Sequence, residues 1–276
     1  MMEGRHFQDI RKRLSVLLSD AELESLPRAY ELVGDIALIN IPEILISNKY
    51  QIAKAYGDVL GVKSVMEKKG ISGEFREPGH TLLYGTDTVT VHKENGIRYK
   101  LDLEMLMFSA GNINERIRMS RLEDVGLVVD MFAGIGYFSL PIAKYTGSRV
   151  MAIEKNPASY EYLVQNIRMN RLEGNLDALN IDCRDYVGEG ARRIIMGYVR
   201  TTDEYLQKAF SIADDGCIFH YHQTVPIKDY KGEMMREIKA QASMGGVEVE
   251  FIEGRMVKKY SPGIVHAVMD FVIKKY

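Results

Sequence analysis

The chain has 276 residues, 36 Lys+Arg against 38 Asp+Glu, a formal net charge of −2 and 46% hydrophobic residues. At about 150 residues per domain this is one large or two modest domains. The composition excludes a disordered or fibrous chain, and the charge balance excludes a uniformly basic nucleic-acid binder, though not a local basic face. Asp35 to Ile46, the longest apolar stretch, is broken by Asn40 and Pro42 and falls short of the roughly 18 apolar residues of a membrane span. The opening MMEGRHFQDIRKRL has no apolar h-region, so no signal peptide is expected. Cys183 and Cys217 form neither a disulfide framework nor a CxxC metal pair. The expectation is a cytoplasmic protein without membrane or metal.

Residues 5–18 read as an amphipathic helix, with Phe7, Ile10, Leu14, Leu17 and Leu18 at helical spacing. Ser19-Asp20 offers an N-cap for a short helix through Leu26. Tyr30 to Ile46 is β-like, 48–60 helical, and Val62 to Glu67 a short strand. Thr86 to His92 and Ile97 to Leu103 alternate around an Asn95-Gly96 turn, predicting a hairpin. A small β-containing module is expected over about 60–105, followed by a charged helix from Glu115 to Glu123. Val125 to Asp130 is then a buried strand, and helices at 137–145, 157–170, 203–213 and 229–242 alternate with strands at 149–154, 176–181, 193–199 and 217–222. Strands near 247–252 and 265–273 close the chain. This alternation predicts a parallel, doubly wound α/β sheet with a late antiparallel hairpin. The division expected is residues 1–110, a smaller α+β module that positions RNA or substrate, and residues 111–276, a Rossmann-like domain.

The most specific segment is Asp130-Met-Phe-Ala-Gly134-Ile-Gly136-Tyr-Phe-Ser139. A Gly-x-Gly pair marks many tight turns, but here it lies between a buried strand and a helix, where absent Cβ atoms admit a nucleotide. Glu154, 20 residues beyond Gly134, ends the next strand, where a carboxylate accepts both ribose hydroxyls; alone it would read as a solvated charge. Ser139 stands where a dinucleotide fingerprint has its third glycine, which disfavours a dinucleotide. The loop D-x-F-x-G-x-G resembles the first motif of class I S-adenosylmethionine (SAM)-dependent enzymes. That resemblance implies a ribose contact at Glu154 and adenine contacts at Asp182, through its carboxylate, and at Cys183, through its backbone. The residue-level alternative for Asp182 is a turn residue capping the next helix.

Gly73-Glu-Phe-Arg-Glu-Pro-Gly79, Leu82-Leu-Tyr-Gly85, His92-Lys-Glu-Asn-Gly96, Lys100-Leu-Asp102 and Met107-Phe-Ser-Ala-Gly-Asn-Ile-Asn-Glu-Arg-Ile-Arg-Met119 follow in order. Over about residues 60–225 this series resembles the tRNA-modifying family of archaeal and eukaryotic tRNA (guanine-37-N1) methyltransferases and wybutosine-pathway aminocarboxypropyltransferases. Phe108 to Asn112, Tyr137 and His220-Tyr-His222 look like the aminocarboxypropyltransferase branch. The methyltransferases carry an Asn-Pro-Pro or Asn-Leu-Pro signature at the end of the fourth strand, and Ile195-Met-Gly-Tyr-Val199 has neither its Asn nor its Pro.

The resemblance implies a SAM-dependent enzyme that moves the 3-amino-3-carboxypropyl group to C7 of 4-demethylwyosine at position 37 of tRNA(Phe). Asp130, Gly134, Gly136, Glu154, Asp182 and Cys183 would hold the cofactor, joined by Ser109 and by Arg116 as a partner for the arm's carboxylate. Otherwise Arg116 is a surface charge pairing with Glu115 or Glu123. Asp130, Tyr137, Tyr198 and His222 are each chemically able to take the ring proton, and the sequence does not choose among them. Candidate contacts to the tRNA anticodon region are Arg11-Lys12-Arg13, Lys63 with Lys68-Lys69, Arg116-Arg118-Arg121, and Arg255 with Lys258-Lys259. Tyr137 or Tyr198 offers a stacking surface for the base. The competing expectations are a guanine-37 N1-methyltransferase and a non-catalytic RNA-binding subunit; the oligomeric state is not set by the sequence.

Overall fold

The computed structural model describes residues 2–123 and 126–275. Val125, where the buried strand was expected to begin, lies outside them. The chain divides into two compact units, Met1–Phe108 and Ser109–Tyr276.

The first unit runs α1 (Met2–Leu14), α2 (Asp20–Glu24), β1 (Tyr30–Val33), β2 (Ile36–Ile39), α3 (Lys49–Leu60), β3 (Ser64–Glu67), β4 (Ile71–Ser72), β5 (Glu77–Pro78), β6 (Thr81–Tyr84), β7 (Val89–Glu94) and β8 (Ile97–Asp102). Ser19 starts α2 through a capping box with Glu22, which satisfies backbone donors at the helix entrance. Ile10 and Leu14 of α1 and Ile52 and Tyr56 of α3 bury against Ala37, Ile39 and Val65 of the sheet β1-β2-β3-β6. The β-like run expected to reach Ile46 stops at Ile39. Pro42 has no N–H for a strand ladder, and Glu43–Asn48 forms a 3-10 turn instead. β7 and β8 pair antiparallel around Asn95-Gly96, both left-handed at φ 46° and 73°, as the hairpin reading required.

The second unit contains α4 (Ile113–Met119), β9 (Leu127–Asp130), α5 (Ser139–Thr146), β10 (Arg149–Ile153), α6 (Pro157–Asn170), β11 (Leu176–Leu179), β12 (Ala191–Met196), α7 (Leu206–Ile212), β13 (Ala213–Pro226), α8 (Tyr230–Gly245), β14 (Val247–Ser261) and β15 (Ile264–Lys275). Its seven-stranded sheet has the order β11-β10-β9-β12-β13-β15-β14. Strands β9 to β13 pair parallel with one another, and β15 pairs antiparallel with both β13 and β14. The apolar run Val128–Val129 is fully buried, as a strand covered on both faces must be. The order reverses between β9 and β12, so the loops leaving these strands open at a topological switch point, the place where doubly wound sheets bind ligands. β14 is far longer than the 247–252 expected, because bulges at 251/253, 256/258 and 259/261 let charged residues enter it without ending it, while β15 lies close to the expected 265–273.

Candidate active site

Asp130 is the last residue of β9 and has no solvent exposure. Its Oδ2 accepts the Ser139 hydroxyl at 2.6 Å and its Oδ1 the Phe132 N–H at 3.3 Å, so one carboxylate ties both ends of the glycine loop. Burial, only partly offset by these hydrogen bonds, pushes its pKa up to about 6. Ser139, which the sequence showed only as a missing third glycine, thus fixes the start of α5.

Gly134 and Gly136 sit at φ 56° and 97°, a region closed to most residues with a Cβ. A Cβ on Gly134 would lie 2.7 Å from the Tyr137 ring, and one on Gly136 would lie 2.7 Å from Leu140. The Gly134 N–H donates to Glu154 Oε2 at 2.7 Å, and the Asn156 N–H to Oε1 at 2.7 Å. Desolvation raises the Glu154 pKa above the usual carboxylate value. A carboxylate has about four acceptor positions, so these backbone donors leave acceptor capacity for a ribose hydroxyl. The loop and Glu154 therefore fit a nucleoside with its ribose on the acid.

Asp182 and Cys183 follow β11 and begin a 3-10 turn. The alternative role foreseen for Asp182 is seen directly: its Oδ1 caps that turn by accepting the Arg184 N–H at 3.0 Å. The Arg184 side chain adds bonds of 3.0 and 2.6 Å, and Lys155 Nζ lies 3.3 Å away. The bond from Arg184 is the main cause holding the Asp182 carboxyl well below its ordinary range. An adenine amino group must therefore share or displace Arg184 to reach it. Burial pushes the Cys183 thiol up to about 12, which leaves its backbone as the useful group.

Ser109 and Arg116 are brought together: Arg116, only 2% exposed, donates through Nη1 to the Ser109 carbonyl at 2.9 Å, while Lys258 Nζ donates to the Ser109 hydroxyl. This corrects the reading of Arg116 and Arg118 as surface RNA contacts, while Arg121 is exposed. Arg118 bonds Glu115 at 3.0 and 3.1 Å and Asp270 at 2.8 Å. Arg255 is likewise turned inward, with Nη1 3.2 Å from Asp270 and Nη2 on Glu253. The other clusters include matched charges, since Arg11 meets Glu24 at 2.5 Å, Arg13 Asp58 at 3.4 Å, Lys63 Asp87 at 3.1 Å, and Lys68 Glu31 at 2.6 Å.

The four proton-acceptor candidates separate by environment. Asp130 is occupied by the loop. His222 is fully buried, stacks on Phe138 with ring centroids 5.3 Å apart, and contacts His266 through Nδ1 at 3.0 Å; burial pushes its pKa down to about 3. Tyr137 and Tyr198 are half-buried at the loop ends of the parallel strands. Tyr198 stacks on Phe132 at 5.2 Å and 22°, and Tyr205 meets the Phe132 ring edge-on at 4.9 Å. This three-ring cluster was not visible as a unit in the sequence, because its members come from three separate segments. Among the described residues no group of His, Cys, Asp and Glu is arranged to hold a metal ion, and no helix is long and apolar enough to cross a membrane.

The sequence matches two family models, the TYW2 N-terminal domain over residues 10–88 and the TRM5/TYW2 methyltransferase domain over residues 90–250. It is 47% identical over 268 residues, 96% of each chain, to the Pyrococcus horikoshii protein named tRNA(Phe) (4-demethylwyosine(37)-C(7)) aminocarboxypropyltransferase. The crystal structure of P. horikoshii TYW2 in complex with MeSAdo matches with a TM-score of 0.90 and 44% identity, covering 98% of this chain and 100% of that one. That of M. jannaschii TYW2 in complex with AdoMet matches with a TM-score of 0.74 and 35% identity, covering 90% and 100%. With the glycine loop, its acidic partner and both family domains in place, this chain belongs to the TRM5/TYW2 family.

Proposed function

We propose that this chain is a SAM-dependent aminocarboxypropyltransferase acting on C7 of 4-demethylwyosine at position 37 of tRNA(Phe), in the anticodon region. The observation that carries the reading is the end-to-end match to a protein of that name in a chain whose glycine loop and Glu154 contact are intact. SAM supplies a sulfonium, which makes the Cγ of its amino-acid arm electrophilic. C7 of the base forms a bond to that Cγ, the Cγ–S bond breaks with its electron pair left on sulfur, and the ring proton departs. On this reading Glu154 holds the ribose, the Cys183 backbone faces the adenine, and Arg116 with Ser109 directs the arm's carboxylate. The rate then comes mainly from positioning two bound reactants. Residues 1–108 serve to position the RNA.

The test uses the full chain, tRNA(Phe) carrying 4-demethylwyosine, and SAM labelled on the methyl or on the carboxyl carbon. Carboxyl label alone should enter the RNA. Methyl label alone would replace this reading with a methyltransferase, and transfer of neither label would favour a binding subunit.

A further inference from the structure

Between β12 and α7 the chain crosses the carboxyl ends of the parallel strands, and one residue there is conformationally out of place. Arg200 has φ 95°, a backbone state suited to glycine and disfavoured for any side chain with a Cβ. A buried polar side chain holds it there. Gln223, 2% exposed, accepts the Arg200 N–H at 2.8 Å and the Thr224 N–H at 3.0 Å through Oε1, and donates through Nε2 to the Tyr221 hydroxyl at 3.2 Å. The turn is thus fixed from within, while the Arg200 side chain is exposed.

The surroundings of that side chain differ from those of Arg118, Arg184 and Arg255, each of which faces a carboxylate. Arg200 has no carboxylate within ion-pair distance among the described residues, and its Nη2 lies 3.5 Å from the Tyr260 hydroxyl, at the end of the β14–β15 hairpin. Lys259, next to Tyr260, is exposed. Two residues before Arg200, Tyr198 stacks on Phe132. One short segment therefore presents a half-buried aromatic ring and then a guanidinium without an anionic partner.

We propose that Arg200, with the Tyr260 hydroxyl beside it, is a binding site for a phosphodiester of the RNA strand next to the target nucleotide. The inference rests on the tRNA-modifying reading above. A planar guanidinium is suited to two-point contact with phosphate oxygens, and a phenol supplies a further donor. The left-handed backbone, held by Gln223, aims the side chain outward. Phosphate contacts of this kind fix the register of the RNA without reading its sequence.

The tests use full-length wild type, Arg200→Gly and Arg200→Lys. Each is titrated with unmodified tRNA(Phe) transcript between 50 and 200 mM KCl, about the range over which phosphate contacts reveal themselves. SAM affinity is measured by calorimetry, and Tm is recorded for each variant. Glycine suits this φ, so Arg200→Gly should keep a Tm equal to or above wild type. It should nevertheless weaken RNA binding roughly tenfold and lower the salt slope by about one, with SAM affinity unchanged. Arg200→Lys should keep most of the slope and lose part of the affinity.

Wild-type RNA affinity and slope in Arg200→Gly would overturn the site, as would a loss of SAM affinity, which would assign the guanidinium to the cofactor arm. A fall in Tm with an unchanged slope would show a structural role only. The dual-label assay on the wild type separates this from the parent reading: methyl transfer would overturn the aminocarboxypropyl assignment while the phosphate contact is still judged by RNA binding. A wild type that binds no tRNA overturns both.

Discussion

The Gly134 N–H donates to Glu154 Oε2 at 2.7 Å, so the carboxylate assigned to the ribose also fixes the turn in front of it. Glu154→Ala removes both functions, and SAM affinity should fall at least tenfold by calorimetry. Glu154→Gln retains one oxygen but turns an amide NH2 toward one of the N–H donors from Gly134 and Asn156, so its affinity should lie between alanine and wild type. Unchanged SAM affinity in the alanine variant would remove the ribose assignment.

Asp130 makes a pH prediction whose sign follows from its raised pKa of about 6 against 3.8 for the ordinary carboxyl. The folded state holds the proton more tightly than the unfolded chain, so this group's contribution is fully present below about pH 4 and is lost as pH rises through 6. In Asp130→Asn the amide oxygen accepts from Phe132 and its NH2 donates to the Ser139 hydroxyl, which rotates to accept. Relative to wild type, the variant should gain up to about 3 kcal/mol between pH 4 and pH 7 in urea denaturation. A pH-independent difference would show that Asp130 ionises normally.

Asp270 is the centre of a buried network. Arg193 Nη1 lies 2.7 Å from His220 Nε2; an arginine only donates, so Nε2 accepts and the ring proton is on Nδ1, which donates to Asp270 at 2.7 Å. Burial alone would raise the Asp270 pKa, but the bond from His220 and the charges of Arg118 and Arg255 outweigh it and hold the carboxyl far below its usual range. Asp270→Asn leaves Arg118 and Arg255 without this counter-charge. It should cost roughly 3–5 kcal/mol in chemical denaturation, and a loss below 1 kcal/mol would mean that water or a neighbouring group replaces the carboxylate.

What was legible in the sequence is what depends on local pattern. Asn156 caps α6 through its side chain and Pro157 starts it, so the 157–170 helix was readable to the residue. The Asp130-to-Ser139 loop and Glu154 were readable because a strand, two glycines and an acid recur at set spacing. Burial was not. Arg116 and Arg118 lie in a charged stretch that reads as surface, yet Arg116 is turned inward onto the Ser109 carbonyl and Arg118 onto Asp270, a residue distant in the chain. Arg200 carried no signal, since an arginine gives no hint of a positive φ and Gln223 reaches it from another strand.

Asp182 and Arg184 set up a competition for adenine. The Asp182 carboxylate receives three bonds from Arg184 and lies within reach of Lys155, while the arginine side chain is 56% exposed. With the guanidinium held mostly in solvent, a pair of this kind contributes about 1 kcal/mol. Arg184→Ala should therefore leave Tm near wild type and bind SAM a few-fold more tightly, whereas Asp182→Ala should weaken SAM. A tenfold loss of SAM affinity in Arg184→Ala would show instead that the guanidinium itself contacts the cofactor.

Tyr198 combines two roles that substitution separates. Its ring stacks on Phe132 and stays half-buried at the end of β12, which suits a platform for a flat tricyclic base, while its phenol is one of the groups chemically able to take the ring proton. Stacking depends on the ring and proton transfer on the hydroxyl. Tyr198→Phe should therefore keep kcat and the KM for tRNA near wild type if the ring alone matters, and lose kcat if the phenol takes the proton. Tyr198→Ala should lose about 1–3 kcal/mol in kcat/KM for tRNA, with SAM affinity unchanged because the ring is not among the residues assigned to the nucleoside. The platform assignment fails if Tyr198→Ala leaves kcat/KM for tRNA intact. A kcat loss shared equally by Tyr198→Phe and Tyr198→Ala, at constant KM, would instead place the hydroxyl in the proton-transfer step and leave the base to be held elsewhere.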